Sequence, residues 1–323
     1  MVVGDNKVAL PSLFAVIQDD LAILEKDLLA MTHSPVDMVT EIGKHLIQAG
    51  GKRLRPALYL LCAGNGRGER QRITAVAAAL EMIHMATLVH DDVIDEAATR
   101  RGKPTANSLW GNSNTVLGGD YLFARAFAVL AQANTGPAML TILADVICAM
   151  CEGEIIQSRD CFNTELSEAD YCQRTAKKTA LFMAASCELG GMEAGLPEQT
   201  VRQLKDYGYA LGMAFQITDD ILDVTGSADQ VGKPVGNDLR QGVITLPVIY
   251  ALRTSSRRSE LRTLIRERAV TDRNLPAVLA AVEQAGAVEY SYRIAASYLE
   301  QARNFLPADL DGDRRAALLK IAD

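Results

Sequence analysis

The stretch VAAALEMIHMATLVH, residues 76–90, decides the fold. Its apolar residues recur every three to four positions and leave almost no polar face, which is typical of a helix buried inside a large bundle. Two further stretches, LFAVIQDDLAILEKDLLAM at 13–31 and YLFARAFAVLAQA at 121–133, have the same period. Strand-like alternation between turn residues is hard to find in the sequence. We therefore predict an all-α fold, organised as one domain over residues 1–323.

Local signals predict where helices begin and where the chain leaves them. The dipeptide Ser34-Pro35 predicts a helix start, with Ser34 as the N-cap and Pro35 as the first helical residue before VDMVTEIGKHLIQ. Ser167 and Asp170 have the spacing of a capping box. Two polar, glycine-containing stretches, 97–119 and 225–247, each follow an acidic cluster, and we expect both to be long connections with a functional role.

Composition and charge limit the classes of function. Apolar residues make up 49% of the 323, so we expect a large core. The formal net charge of -7 argues against a general nucleic-acid binder. The N-terminus lacks a basic segment followed by a long apolar run, and no uninterrupted apolar run reaches about 18 residues. We therefore predict a cytoplasmic protein without a transmembrane segment.

The six cysteines lie in apolar stretches and are expected to be buried free thiols. Cys148 and Cys151 form a CxxC pair that could indicate redox or zinc chemistry. The pair lies within an apparent helix, and neither a second pair nor a histidine is nearby. We therefore expect no metal or redox role for it.

Two apolar helices each end in the pattern DDxxD. The members of the two aspartate motifs are Asp91, Asp92, Asp95, Asp219, Asp220 and Asp223. Residues i and i+4 of a helix lie on one face with Cβ atoms about 5–6 Å apart, so the first and last aspartates of each motif form a pair. Converging carboxylates repel one another unless cations neutralise them. Mg²⁺ takes hard oxygen ligands and is typically completed by substrate phosphates, so the motifs predict a magnesium site.

Basic residues cluster around the aspartate motifs. They are Lys52, Arg53, Arg55, Arg100, Arg101, Lys177, Lys178 and Lys233. Arginine forks and lysine point charges bind phosphate oxygens, and Gly50-Gly51 lets backbone come close to a ligand. Together with the metal motifs, the cluster indicates a substrate pair with more than one diphosphate group.

With these motifs the chain resembles a known family, the trans-isoprenyl diphosphate synthases, from about Gly50 to Leu310. The matching stretches are GGKRLRP (50–56), HDDVIDEAATRRGKPT (90–105), GDYLFARAF (119–127), EGEIIQ (152–157), KKTALF (177–182), FQITDDILD (215–223), GKPVGNDLRQG (232–242) and TLPVIYAL (245–252). Their order and spacing make chance agreement implausible. The resemblance implies one large helical bundle of the isoprenoid synthase type with a central apolar cavity. It also implies a Mg²⁺-dependent prenyltransferase that joins isopentenyl diphosphate to an allylic diphosphate.

The resemblance assigns roles to individual residues. The six aspartates of the two motifs would bind Mg²⁺. Isopentenyl diphosphate would contact Lys52, Arg55, His84 and Arg101, and the allylic diphosphate would contact Arg100, Lys178, Thr179, Gln216 and Lys233. The residues that act directly on the departing diphosphate would be Asp91, Asp92, Asp95, Arg100, Arg101, Lys178, Asp219 and Asp220. Val243 stands where many family members carry a second lysine, which implies a weaker basic clamp on the allylic diphosphate.

The depth of the cavity is expected to set the product length. One isoprene unit is about 5 Å long, close to the ~5.4 Å pitch of a helix, so residues at successive turns before Asp91 gauge that depth. The candidate chain-length residues are Ala86, Thr87, Ile83, Phe123 and Phe127. The first two are small where short-chain relatives carry aromatic residues, and either phenylalanine would form the floor or else pack in the core. We expect six to eight isoprene units, the range of respiratory quinone side chains.

Several alternatives stay open. The chain could be a short-chain (C15–C20) synthase, or the catalytic subunit of a two-component enzyme. Family resemblance suggests a homodimer packed through helices such as the one containing residues 121–130. A class I terpene cyclase is less favoured, since the nearest second metal motif, 237–241, lacks the expected hydroxyl and glutamate. A non-catalytic partner subunit is also less favoured, because both aspartate motifs are intact.

Overall fold

The computed structural model describes residues 13–64, 70–226 and 235–323, and within these ranges the chain is almost entirely helical. A single 3₁₀ turn, Ala15–Ile17, comes first. The helices of the first half are α1 (Gln18–Met31), α2 (Asp37–Gln48), α3 (Leu54–Ala63), α4 (Arg70–Ile94), α5 (Ala106–Trp110), α6 (Asn112–Gln132) and α7 (Pro137–Asp160). Those of the second half are α8 (Glu168–Thr175), α9 (Leu181–Glu193), α10 (Glu198–Thr225), α11 (Asn237–Gln241), α12 (Leu246–Thr254), α13 (Arg258–Arg266), α14 (Leu275–Gln284), α15 (Ala287–Phe305) and α16 (Gly312–Ile321). The prediction of an all-α fold is confirmed.

Two short irregular elements interrupt this helical order. A turn of π-helix, Ala176–Ala180, joins α8 to α9. The strands β1 (Thr99–Arg100) and β2 (Lys103–Pro104) form an antiparallel hairpin in which Arg100 pairs with Lys103. Both elements lie in stretches that resemble the prenyl synthases.

Packing divides the chain into two compact units. The first comprises Met1–Thr141, Ser186–Lys205 and Phe305–Asp323, and the second comprises Ile142–Ala185 and Asp206–Asn304. Each unit combines segments that are far apart in sequence, so no single cut of the chain separates them. The interpretation as one domain stays a prediction.

Helix α4 forms the core of the first unit. Its alanine-rich stretch 75–79 is buried, and the small side chains let neighbouring helices approach closely. At Gly119 of α6, an added Cβ would lie 2.3 Å from Nε2 of His90, so only glycine permits this approach. Among the described residues, α4 alone is long and apolar enough to cross a membrane. However, 78% of its apolar 18-residue stretch is buried inside the protein. Such burial is typical of a core helix.

The second unit has its own apolar core, to which α8, α10, α12 and α14 contribute. Ile217 and Ile221 of α10 lie one helical turn apart in this core, with Leu246 of α12 and Val278 of α14. Burying that face fixes the rotation of α10. As a result, Asp219 on another face is exposed.

The capping predictions have opposite outcomes. Ser167 and Asp170 form the predicted capping box, in which each backbone N–H donates to the other residue's side chain. The prediction for Ser34 is wrong, because α2 begins only at Asp37. The Ser34 hydroxyl instead accepts from the backbone N–H of Val36 at 3.2 Å, forming a local turn before the helix.

Two other sequence-based expectations need correction. The stretch 97–119 is not one long connection: the hairpin is followed by α5 and then by α6, which starts at Asn112. A helix can begin there because Gly111 takes a positive φ of 76° and breaks the preceding helix. Cys62 and Cys187 are buried as expected, but Cys148 and Cys151 are exposed on α7, so burial was wrong for that pair.

Candidate functional site

The first aspartate motif forms the last turn of α4. The backbone N–H of Asp95 still donates to the carbonyl of Asp91 at 2.8 Å, so these two side chains keep the helical i, i+4 relation. The helix ends at Ile94, and two residues later Glu96 takes a left-handed φ of 50°, which turns the chain away from the helix axis. The N–H of Ala97 then bonds to the Asp92 carbonyl at 2.9 Å, completing a Schellman-type end. The predicted pairing of Asp91 with Asp95 is therefore geometrically sound.

Helix α4 keeps one accessible face below this motif. His84, Thr87, Leu88 and Asp91 are each half-buried, and their spacing places them on one side of the helix. We call these four residues the accessible face of α4. Sequence reasoning named His84, Thr87 and Asp91 as site residues and missed Leu88.

The chain-length candidates on α4 separate by burial. Thr87 lies on the accessible face, and its hydroxyl donates to the His84 carbonyl at 2.8 Å. Ala86 and Ile83 are 0% exposed, so their side chains are enclosed by protein atoms. Of these three candidates, Thr87 is the one best placed to meet a ligand on this face.

The two phenylalanine candidates lie at different depths along α6. The ring of Phe123 lies 5.8 Å from that of His90, which puts it level with the first aspartate motif. Phe127 lies one helical turn further along α6, and both rings are half-buried. His90 also bonds to the Val116 carbonyl at 3.1 Å, which gives it a packing role between α4 and α6.

Asp92 is engaged differently from Asp91 and Asp95. It is only 2% exposed and accepts a hydrogen bond from Nε of Arg100 at 2.7 Å. This charge-assisted bond ties the hairpin to the end of α4. The structure therefore brings together two residues that were assigned to different ligands, the metal and the allylic diphosphate.

The predicted isopentenyl diphosphate contacts converge in the first unit. Nη1 of Arg55 lies 3.2 Å from Nε2 of His84. Burial, and then the positive charges of Arg55, Arg101, Arg100 and Arg53, hold the pKa of His84 well below its ordinary value. His84 is thus neutral at pH 7 and accepts from Arg55, whose own pKa burial lowers to about 10. Lys52 is exposed at the start of the same loop.

Arg101 reaches this group from the tip of the hairpin. Arg101 and Gly102 have φ values of 52° and 74°, as in a type I′ turn. The Arg101 guanidinium donates to the Gly50 carbonyl. A Cβ on Gly51 would lie 2.9 Å from Arg101 Nη1, so the glycine leaves the space that this side chain fills.

Sequence reasoning gave Arg53 no role of its own, yet the structure makes it the anchor of the GGKRLRP loop. Its guanidinium is 9% exposed and bonds to Glu25 at 2.6 Å and to Glu81 at 2.7 Å. Burial alone would lower the pKa of Arg53, but the hydrogen bonds and charges of the two glutamates raise it above its ordinary value. A glutamate within the apolar helix α4 was the available signal, because a buried charge needs a partner.

The second aspartate motif lies on α10 in the second unit. Asp220 is buried and accepts from the Tyr171 hydroxyl at 2.7 Å and from Nε2 of Gln216 at 2.9 Å. Burial and the nearby charge of Asp238 raise the pKa of Asp220 to about 7, while the hydrogen bonds from Gln216 and Tyr171 oppose that rise. Tyr171 is a residue of this site that sequence reasoning missed.

Asp223 caps a second helix. Its carboxylate accepts the backbone N–H groups of Asn237 at 3.1 Å and Asp238 at 3.2 Å, which are the first residues of α11. A carboxylate at a helix N-terminus satisfies otherwise unpaired donors. Asp223 therefore holds the segment after residue 234 against α10.

The turn of π-helix presents the predicted allylic contacts in the second unit. The Thr179 hydroxyl donates to Gln216 Oε1 at 2.8 Å, so Thr179, Gln216 and Asp220 form one hydrogen-bonded chain. Lys178 Nζ lies 2.6 Å from a carboxylate oxygen of Glu154. Gly212 permits close packing here, because an added Cβ would lie 2.6 Å from the Cα of Ala180. π-Turns are frequent at functional sites.

Some predicted ligands are not brought together by the structure. Lys233 lies outside the described residues. Within the described residues, no three His, Cys, Asp or Glu side chains form a group that could hold a metal ion. The donors present are carboxylate oxygens in pairs, which fit a hard cation such as Mg²⁺ that keeps water and substrate oxygens as further ligands.

Comparisons with known proteins agree with this geometry. A family described as polyprenyl synthetase matches residues 36–282. The chain is 42% identical to heptaprenyl diphosphate synthase component 2 of Geobacillus stearothermophilus, over 97% of each chain. It is 35% identical to a short chain isoprenyl diphosphate synthase of Methanothermobacter thermautotrophicus, over 87% of each chain.

A solved structure extends the similarity to the fold. The polyprenyl synthase of Caulobacter crescentus, crystallised with calcium and isoprenyl diphosphate, superposes with a TM-score of 0.91. The two chains are 36% identical, and the match covers 97% of this chain and 96% of that one. Helical fold, motif spacing and near-complete coverage therefore agree: the chain belongs to the polyprenyl synthetase family.

Proposed function

We propose that the protein is a Mg²⁺-dependent trans-polyprenyl diphosphate synthase. It condenses an allylic diphosphate, farnesyl or geranylgeranyl diphosphate, with successive isopentenyl diphosphates to an all-trans C30–C40 product for quinone side chains. The observation that carries this proposal is the group of His84, Arg55 and Arg101, which lies beside the accessible face of α4 that ends in Asp91. A diphosphate-binding group beside a carboxylate pair is what two diphosphate substrates require.

The side chains supply charge and orientation to the reaction. Arg55 and Arg101 bind the diphosphate of isopentenyl diphosphate, and neutral His84 orients the Arg55 guanidinium. Lys178 and Thr179 hold the allylic diphosphate. The aspartate motifs would hold Mg²⁺, which would supply positive charge to neutralise the leaving diphosphate. The allylic C–O bond ionises with diphosphate as the leaving group, and the isopentenyl double bond attacks the resulting cation. The new cation then loses a proton to the released diphosphate, so the residues act by electrostatic stabilisation and proximity.

The side chains next to the first aspartate motif bear on the length of the product. A C15 product would require a bulky block near the top of the accessible face, where Leu88 and Thr87 are not aromatic. The small or flexible side chains at these two positions support a long product over the short-chain alternative.

We further propose a cytoplasmic homodimer that packs through α6, with a second, different subunit as the alternative. On α6, Leu117 is 64% exposed and Val116 is 38% exposed, which supports a covered surface in the assembly. The similarity to a protein named component 2 supports the two-component alternative.

Product analysis of the purified chain tests the function. The chain alone is incubated with isopentenyl diphosphate, Mg²⁺ and either farnesyl or geranylgeranyl diphosphate, and the products are identified by mass spectrometry. We expect C30–C40 diphosphates, and D91N serves as a control in which turnover is lost. An end product of C20 from farnesyl diphosphate, or of C25 from geranylgeranyl diphosphate, would contradict the proposed chain length. Turnover that appears only when a second protein is added would identify a two-component enzyme.

A further inference from the structure

The β1–β2 hairpin is docked onto the C-terminal end of α2 by side chains from both partners. Lys103 Nζ donates to the carbonyl of Gln48 at 2.6 Å. Nε2 of His45 donates to the carbonyl of Pro104 at 2.9 Å, and the Arg101 guanidinium donates to the Gly50 carbonyl. The hairpin and the loop that follows α2 are therefore joined over residues 45–50.

The Lys103 contact matches the electrostatics of a helix end. Gln48 is the last residue of α2, so its carbonyl is one of those that lack an intrahelical partner. The C-terminus of a helix carries partial negative charge, which an ammonium group complements. Lys103 lies 55 positions after Gln48 in the chain, and it donates to a carbonyl that would otherwise need a hydrogen bond from water.

The hairpin needs stabilising contacts from neighbouring elements because its turn is strained. The first central residue of a type I′ turn has positive φ, and Asn, Asp or Gly usually occupies it. Here Arg101 occupies it with a φ of 52°, a left-handed conformation that is unfavourable for a residue with a Cβ. Such strain persists when surrounding contacts fix the conformation.

The two sides of the hairpin are held separately. Arg100 is bonded to Asp92 at the end of α4, whereas Lys103 is bonded to the end of α2. Arg101 stands between these anchors and reaches the loop that carries Lys52 and Arg55. Loss of the Lys103 anchor would leave strand β2 held to α2 by the His45–Pro104 bond alone. Arg101 would then be held less firmly beside that loop, while the Arg100 contact stays in place.

We propose that Lys103 is a positioning residue for isopentenyl diphosphate, which it serves by holding Arg101 against the 50–55 loop. The proposal rests on the proposed function, because it assumes that Arg101 binds this substrate. Lys103 itself need not touch the substrate, since its ammonium group is occupied by the Gln48 carbonyl.

Three variants test the assignment. K103M keeps the length of the side chain and removes its charge, K103R keeps a donor for the Gln48 carbonyl, and K44M removes another exposed lysine, on α2 itself. We expect K103M to raise the KM for isopentenyl diphosphate about 10-fold, with kcat and the KM for the allylic substrate within about twofold of the parent. K103R is expected to restore the parent KM to within about twofold, and K44M to behave as the parent.

Two measurements that need no turnover complete the experiment. The affinity of each variant for isopentenyl diphosphate is measured by calorimetric titration, and the exchange of backbone amides at 99–104 by mass spectrometry. K103M should bind about 10-fold more weakly and exchange faster than the parent in the hairpin. Parent-like affinity and exchange in K103M, or an equal rise in the KM of both substrates, would overturn the proposal. If the parent chain bound isopentenyl diphosphate but formed no polyprenyl product, the proposed function would fail while these two measurements still decided the role of Lys103.

Discussion

Replacing Thr87 by phenylalanine is expected to shorten the product. Thr87 lies four residues, or about 6 Å, before Asp91 on the accessible face of α4. An aromatic ring there would leave only roughly one helical turn, about 5 Å, of this face open beside Asp91. Elongation of farnesyl diphosphate should then stop after the first one or two additions, so the main product falls from C30–C40 to C20–C25.

The same position provides a matched control. T87V keeps the size of the side chain and loses only the hydroxyl that bonds to the His84 carbonyl, so its product length should equal that of the parent. Products are separated by reversed-phase chromatography after removal of the diphosphate and identified by mass. A86F, at a site with 0% exposure, is expected to cost about 1–3 kcal/mol of stability by overpacking, which a thermal scan reports. A T87F enzyme that still made C30 or longer product at the parent rate would refute the reasoning that this face lines the path of the tail.

Three further predictions concern groups that hold the site in shape. E81Q is expected to lower the free energy of unfolding, measured by urea unfolding, by about 2–3 kcal/mol. This loss is smaller than the ~3–5 kcal/mol typical of a broken buried ion pair, because Glu25 still neutralises Arg53. The pKa of His84 is depressed in the folded chain, so the unfolded chain takes up a proton first and the contribution of His84 to stability should fall as pH drops below about 6.5, opposite in sign to that of Asp220, whose pKa is raised. The difference in stability between the parent and H84Q isolates this contribution and should change below about pH 6.5, whereas a difference that does not vary with pH would exclude His84 as a source. Y171F removes a donor from buried Asp220 and should cost about 1.5–3 kcal/mol in the same urea assay, whereas a loss below about 0.5 kcal/mol would show that the bond contributes little.

Helical periodicity predicted the part of the site that depends on local spacing. His84 lies seven residues, about two turns, before Asp91, and the structure places both on the accessible face of α4. The capping box at Ser167 was likewise predictable, because both of its partners lie within one helical turn. The grouping of Arg55, His84 and Arg101 followed from the family resemblance: Arg55 lies 3.2 Å from His84, and the charge of Arg101 lowers the pKa of His84.

The contacts that fix side-chain orientation could not be predicted in the same way. Arg53 bonds to Glu25 and Glu81, each 28 residues away in the sequence, and no local pattern identifies such partners. Asp92 has the same sequence context as the other aspartates of the DDxxD motif, yet burial and the bond to Arg100 distinguish it. The wrong prediction at Ser34 has a simpler cause, since Val36 in an extended conformation delays the helix by two residues.

The turn of π-helix at 176–180 makes this part of the chain tolerant of one change in length. A π-turn contains one residue more than a regular turn, so deleting a residue there restores an ordinary α-helix without breaking the chain. Because the wide turn already absorbs the extra residue, the following residues keep their face after the deletion, and Phe182 and Met183 stay buried. A deletion in a regular part of α9 would instead rotate every following residue by about 100° about the helix axis. A scan of single-residue deletions should therefore find 176–180 less sensitive in folding than the regular helix that follows it.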